Sequence, residues 1–181
     1  RRLGLALAGA CINRHSDLGR QVGRLSRGGG QIADIDILRS YLGLLCLGKS
    51  DFQAITGMRD DDFFQQALGI GRVPSTERLR QRLDEAAADG LIPLVFRSSQ
   101  SMLKQLGVKV SGYANGLVPL DVDVFPQDNS NTRKEGVSRT YKNFDGYAPI
   151  AAYPGMEGWC LELELRPGSQ HGQAGFVVFI Q

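Results

Sequence analysis

The sequence predicts an α+β protein, in which an all-α N-terminal region is followed by a short series of antiparallel strands. Two observations predict this class. Up to about residue 110, apolar residues recur at the three- and four-residue spacings of amphipathic helices. From Leu117 onward they form short or alternating runs between turns rich in proline and glycine, which is typical of strands. We therefore predict a helical domain over residues 1–110 and a β-containing domain over residues 111–181.

The composition excludes several classes of protein. The 181 residues are 42% hydrophobic and 22% charged, which describes a folded chain rather than a disordered one. No apolar run reaches the ~18 residues that a membrane span needs, so no membrane partner is expected. Cys11, Cys46 and Cys160 lie far apart and indicate buried, reduced thiols rather than a disulfide framework. With only His15 and His171 beside them, no zinc-site spacing exists.

Glycines and acidic residues mark the ends of the predicted helices. The first 30 residues allow one or two short helices and close with a break at Gly28–Gly30. Asp60–Asp62 could hold a metal, but acids at a helix N-terminus favour the helix dipole, so we interpret them as capping residues. The other helices are predicted over Ile32–Leu47, from Ser50 or Asp51 to Gly57, from Asp60 to Gly69, from Ser75 or Thr76 through Ala87, and over Leu91–Leu106.

The penultimate helix of this region carries arginines beside its apolar stripe. Leu79 and Leu83 belong to the stripe, and Arg78, Arg80 and Arg82 share the exposed remainder. An arginine-bearing helix that follows three short helices resembles a helix-turn-helix-like array, whose last helix meets DNA through its N-terminal half. A solvated basic surface explains the same arginines, and nearby acids partly cancel their charge. Both interpretations stay open at this stage.

The most distinctive strand is predicted over Leu117–Phe125, where Asp121 and Asp123 alternate with apolar residues. Alternation places both carboxylates on one face of the strand. Two like charges on one face repel unless a cation lies nearby or water screens them, so Asp121 and Asp123 are candidate metal ligands. The alternative is an edge strand with a solvated acidic face. Two further strands are predicted over residues 147–153 and 159–165.

A long polar segment, residues 126–146, separates the first two predicted strands. Its length is unusual for a hairpin connection, which indicates either a functional loop or a flexible one. Cations interleaved with aromatic residues suit contacts with a nucleic-acid backbone, whereas a solvated surface loop is the alternative. The basic residues are Arg133, Lys134, Arg139 and Lys142, and the aromatic ones are Tyr141 and Phe144.

Four segments resemble the transposases of bacterial insertion sequence 1380 and its relatives, in the same order and at similar spacing. The segments are Leu120–Ser130, Lys134–Lys142, Asp145–Ile150 and Glu164–His171. The resemblance is strong from about residue 117 to 171 and loose before it. It implies a DDE transposase with a ribonuclease-H-like catalytic core, of which the three predicted strands would be the first antiparallel meander.

The resemblance also implies a cofactor and partners. Two Mg²⁺ ions roughly 3.5–4 Å apart would activate the nucleophile and stabilise the leaving oxygen during DNA strand cleavage and transfer. Asp123 would be the first ligand, with Asp121 as the alternative. Glu162 and Glu164 would be structural or would support the metal ligands without touching the metal. The implied partners are the terminal inverted repeats and target DNA, with a possible homodimer. The implied location is the bacterial cytoplasm, at the nucleoid.

The sequence departs from this family in one respect. The second Asp and the Glu of the catalytic triad are expected on a fourth strand and a later helix, but the chain ends at Gln181. We therefore expect a truncated and inactive transposase, and an incomplete sheet that favours association. Two alternatives are a DNA-binding remnant that represses transposition without catalysis, and an unrelated α+β binding protein.

Overall fold

The protein is described by a computed structural model that covers residues 2–25, 32–88 and 90–180. The chain divides into two compact units, residues 1–108 and 109–181. The described part of the first unit contains only helices, and the second contains two small antiparallel sheets. The predicted α+β class is therefore confirmed. The predicted Gly28–Gly30 break lies outside the described residues.

Each helix that the sequence predicts in the first unit is present, and the N-terminal region contains two. Asp61 confirms the capping interpretation of the aspartates before α4, because its carboxylate accepts the N–H of Phe64 at 3.1 Å. Gly69 ends α4 in the left-handed conformation, at φ +67°. The described helices are α1 (Arg2–His15), α2 (Leu18–Leu25), α3 (Asp34–Cys46), a 3₁₀ helix (Phe52–Met58), α4 (Asp62–Leu68), α5 (Thr76–Ala88) and α6 (Leu91–Gln105).

Two apolar clusters hold the first unit together, and α3 contributes to both. Leu44 packs in the larger cluster with Phe64 and Leu68 of α4, whereas Leu38 packs in the smaller one with Leu91 of α6. Amphipathic helices bury one stripe each, so a helix between two clusters must be apolar on two sides. This explains the long apolar character of α3 in the sequence.

We expect Gly43→Ala to destabilise the first unit, because α3 approaches α4 at this glycine. An added Cβ would collide with the Leu68 side chain and lie 2.8 Å from the Phe64 ring. Overpacking of this kind typically costs ~1–3 kcal/mol in the free energy of unfolding. Gly4→Ala in α1 is the matched control, since nothing lies within 4 Å of its added Cβ; it should stabilise by ~0.5–1 kcal/mol. Urea unfolding followed by helical circular dichroism measures both, and equal effects would contradict this packing.

Over residues 109–180, the second unit contains six short strands in two sheets of three. One sheet has the order β1–β5–β6, and it contains the three strands that the sequence predicts, joined antiparallel with the second in the middle. The other sheet has the order β2–β4–β3. The elements are β1 (Leu120–Val124), β2 (Gln127–Asp128), β3 (Ser138–Arg139), β4 (Asp145–Tyr147), β5 (Ile150–Pro154), β6 (Glu162–Glu164) and a short helix α7 (Phe176–Phe179).

The two sheets are built on one long antiparallel hairpin. The register that pairs Val124 with Ile150 continues unchanged into the second sheet, so no residue is inserted between them. Pro126 and Pro149 lie at the break, and neither has the N–H that a ladder hydrogen bond needs. The strand predicted over residues 147–153 is therefore divided, because Pro149 separates β4 from β5.

The interior of the second unit is small and depends on a buried arginine. Its buried hydrophobic side chains are three alanines and Ile150. Arg166 is 1% exposed and donates to the Glu164 carboxylate at 2.8 Å and to the Ala174 carbonyl oxygen at 3.1 Å. Its guanidinium also lies 5.5 Å from the centre of the Phe179 ring. Arg166 therefore joins β6 to the segment that leads into α7.

Arg166→Met is expected to release this C-terminal segment from the sheet. Methionine fills part of the space but donates no hydrogen bond, so the loss should be ~2–3 kcal/mol, as for several bonds to a charged donor. Hydrogen exchange of the backbone amides at residues 172–180 measures the release. Arg166→Lys keeps the charge beside Glu164 and should protect these amides better than methionine does. Unchanged protection in Arg166→Met would show that the arginine does not hold the segment.

The three cysteines are less buried than the sequence predicts. The cysteines are free, but Cys46 and Cys160 are exposed and Cys11 is half-buried, so the prediction of buried thiols is wrong. Cys46 ends α3 on the side away from buried Leu44, because a helix buries only part of its surface. None of the helices in the described ranges is long and apolar enough to cross a membrane.

Candidate nucleic-acid interface

Helix α5 is fixed to the first unit by its apolar side and capped at its start. Leu79 is 0% exposed and packs in the larger apolar cluster. The Ser75 hydroxyl oxygen accepts the N–H of Arg78 at 3.3 Å, which satisfies one of the free donors of the first turn. Arg78 and Arg80 are exposed. The N-terminal half of α5 therefore presents arginines to solvent, as the sequence predicts.

Arg82 differs from the other two arginines of α5. Its side chain is 27% exposed and forms ion pairs with Asp34 at the start of α3 and with Glu85 one turn later. The prediction that Arg82 shares the exposed face is wrong, because Asp34 draws the guanidinium toward α3. Among the described residues, no ion pair engages Arg78 or Arg80. These two arginines carry the accessible positive charge of α5, although Glu77 on the same helix interacts electrostatically with Arg80 and partly offsets it.

Arg78 and Arg82 also line a cavity that we name the arginine pocket. It has a volume of about 160 Å³ and contains two arginines that sequence analysis did not select, Arg59 after the 3₁₀ helix and Arg72 in the connection between α4 and α5. Among the described residues, four arginines and no carboxylate line it. The described lining residues are Ile32, Arg59, Arg72, Val73, Ser75, Arg78 and Arg82.

Polar side chains of α1 and α3 hold the connection that delivers Arg72. The Asp36 carboxylate is 8% exposed, and one of its oxygens accepts the backbone N–H groups of Gly71 and Arg72, each at 3.1 Å. Arg39 donates to the Gly69 carbonyl oxygen at 2.7 Å, and Asn13 donates to that of Leu68 at 3.0 Å. A connection without secondary structure of its own thus acquires partners for its backbone.

The acidic strand β1 has the alternation that the sequence predicts. Asp121 and Asp123 are exposed, whereas Val122 and Val124 are half-buried. Strand β1 lies at the edge of its sheet, since it pairs only with β5 among the described strands. The structure therefore places both carboxylates together on one face, and it fits a solvated edge strand as well as a metal site.

The other two acids of this sheet lie on the opposite face. Directly paired residues of antiparallel strands point to the same side. The register places Glu162 with Ala152 and Val122, and Glu164 with Ile150. The four acids therefore do not converge, and Glu164 is engaged by Arg166.

Another acid near β1, Asp128, ends strand β2 and hydrogen-bonds into the turn that follows. Its carboxylate accepts the backbone N–H of Ser130 at 2.9 Å and the hydroxyl of Ser130 at 2.6 Å. These hydrogen bonds lower the pKa of Asp128 below its ordinary value, because they favour the charged form. Across residues 2–25, 32–88 and 90–180, no three His, Cys, Asp or Glu side chains are grouped closely enough to hold a metal ion.

The basic segment between the first two predicted strands contributes the short strands of the β2–β4–β3 sheet, and turns and irregular connections make up the rest of it. Arg139 pairs with Asp145 across that sheet at 3.7 Å, and both side chains are more than half exposed. The Lys142 ammonium lies 5.9 Å from the centre of the Tyr141 ring. Arg133 and Lys134 are exposed, and no ion pair among the described residues engages either of them.

Comparisons of the chain with protein families, with curated proteins and with solved structures found no match. The assignment of a function therefore depends on the residues and geometry above. Two features carry it, the arginines at the start of α5 and the pair of carboxylates on β1.

The carboxylate pair can be tested with Mg²⁺ alone. We expect millimolar Mg²⁺ to shift the backbone amide resonances of β1 in the whole chain, because one or two carboxylates suffice for weak binding of this ion. The double variant Asp121→Asn, Asp123→Asn should lose the shift, whereas Glu135→Gln in an exposed turn should keep it. A shift that persists in the double variant would favour the solvated edge strand.

Proposed function

We propose that this chain is a DNA-binding protein of the DDE transposase type, and that its helical unit makes the principal DNA contacts. The observation that carries the proposal is the capped helix α5, whose N-terminal half exposes Arg78 and Arg80. A resemblance in sequence to the transposases of insertion sequence 1380 supports the same conclusion from the second unit.

The shape of α5 suits a groove of duplex DNA. Its 13 residues give a length of about 20 Å, and the major groove of DNA admits one α-helix. Leu79 is turned into the larger apolar cluster, so the arginines on the remaining surface can approach DNA without disturbing the interior. Arginine binds phosphate oxygens through two parallel N–H groups, which fixes orientation as well as affinity.

The second unit would add backbone contacts. Arg133, Lys134 and Lys142 are exposed on the β2–β4–β3 sheet or its turns, and Tyr141 beside Lys142 offers a ring for stacking. Arg139 contributes less in this proposal, because Asp145 already neutralises it. We further propose that the β1–β5–β6 sheet corresponds to the first meander of a ribonuclease-H-like core.

The described carboxylates do not complete a magnesium centre. A two-metal site needs more oxygen ligands than Asp121 and Asp123 supply, and Glu162 and Glu164 lie on the opposite face. We therefore derive no strand-cleavage step for this chain. Asp123, or else Asp121, is proposed as a Mg²⁺ ligand only in a core that supplies the remaining carboxylates.

The proposed partners are the terminal inverted repeats of an insertion sequence, its target DNA and a second copy of the chain in a homodimer. The proposed location is a bacterial cytoplasm, at the nucleoid. The second candidate function is repression of transposition by binding without cleavage. The exposed arginines on α5 support this second form, because DNA binding by arginines needs no metal centre.

The salt dependence of DNA binding tests the proposal. Fluorescence anisotropy with a labelled duplex should give an affinity that falls steeply between about 50 and 200 mM salt, because bound cations displace counterions. Arg78→Gln with Arg80→Gln should weaken binding and reduce the salt slope by about two, one for each lost phosphate contact. Arg97→Gln, an exposed arginine on α6, is the matched control. If the double variant binds as the control does, α5 is not the DNA-contacting helix.

A further inference from the structure

The arginine pocket concentrates the positive charge of four arginines, of which only Arg82 has a carboxylate partner among the described residues. Like charges that share one cavity raise the free energy of the folded state unless water screens them or an anion joins them. Arg82 has Asp34 and Glu85 as partners. Among the described residues, no ion pair engages Arg59, Arg72 or Arg78.

Two of the four arginines are held in place by α3. Asp36 fixes the backbone at Arg72 through two N–H groups, and Asp34 fixes the guanidinium of Arg82. Neither carboxylate lines the cavity. The backbone at Arg72 and the guanidinium of Arg82 are therefore positioned before a ligand arrives, which lowers the conformational entropy lost on binding an anion.

The chemistry of the lining selects a phosphate group. Guanidinium groups are planar and donate in pairs, which matches the oxygens of phosphate. The start of α5 adds the positive end of a helix dipole, although Glu77 in its first turn partly offsets this. The volume of about 160 Å³ is roughly ten times the ~15 Å³ that one water needs, which leaves room for a tetrahedral anion.

We propose that the arginine pocket binds one phosphate group, and that in the complete function this is a backbone phosphate of DNA. The source of the phosphate rests on the proposed function; the pocket itself does not. A neighbouring cavity of about 400 Å³ shares Arg59 and Arg72 but is also lined by Asp60. That carboxylate disfavours a second phosphate there, so the site holds one.

The first arm of the test uses inorganic phosphate alone. Phosphate added to the whole chain at constant ionic strength should shift the amide resonances of residues 71–73 and 75–78 and reach saturation. Arg59→Gln and Arg72→Gln should each weaken this binding at least tenfold, whereas Arg97→Gln should leave it unchanged. The same spectra report whether each variant is folded. Arg72→Lys keeps the positive charge but not the paired N–H donors, so the affinity of this variant for phosphate should lie between those of the unaltered chain and Arg72→Gln.

The second arm uses duplex DNA and separates the two proposals. Arg59→Gln and Arg72→Gln should each weaken DNA binding about tenfold and lower the salt slope by about one. If phosphate saturates the pocket but none of the arginine variants changes DNA affinity, the site is confirmed for free phosphate and the proposed function fails. If phosphate does not saturate, or the pocket variants bind it as the control does, the pocket is not a phosphate site, and DNA binding by Arg78 and Arg80 stands on its own test.

Discussion

The buried carboxylate of Asp36 is the constraint on which the candidate interface depends. It lies on α3, the helix that contributes to both apolar clusters, and it accepts backbone N–H groups of the connection from α4 to α5. That connection carries Arg72 and ends at Ser75, which caps α5. An acid in the interior is stable only if its charge is met by donors, and here the donors are the backbone groups whose position matters. The Asp36 carboxylate of α3 therefore positions the backbone of the connection that carries Arg72 and leads into α5.

Much of the fold could be predicted from the sequence because local chemistry determines it. Gly69 ends α4 because glycine readily adopts a positive φ, and Asp61 caps the start of the same helix. The alternation in β1 separates the exposed Asp121 and Asp123 from the half-buried valines. The division of the second predicted strand was missed, although Pro149 marks it. A proline interrupts a strand only where its missing N–H would face a partner strand. The partner strand comes from a distant part of the sequence, so this effect could not be predicted from the local pattern.

The candidate site was predicted in part for the same reason. Arg78 and Arg80 are exposed because Leu79 between them is buried, and helical periodicity shows this directly. Arg59 and Arg72 share no period with α5 and reach the pocket through tertiary structure, so no pattern in the sequence joins them. The sequence also could not predict that Glu162 and Glu164 lie on the face of the sheet opposite Asp121 and Asp123. That placement follows from the register of β6 against β5.

The unbroken register of the long hairpin has a consequence for how the second unit avoids misfolding. Short strands with few buried side chains can slip by one residue at little cost, and each slip turns every side chain to the other face. Pro126 and Pro149 meet at the corner in the observed register, where Phe125 still donates to the Pro149 carbonyl oxygen at 3.0 Å. In a hairpin shifted by one residue, each proline would lie opposite a backbone carbonyl oxygen that needs an N–H donor, and proline has none. The two prolines therefore disfavour slippage, because they cost one ladder hydrogen bond in the observed register and more than one in a register shifted by one residue.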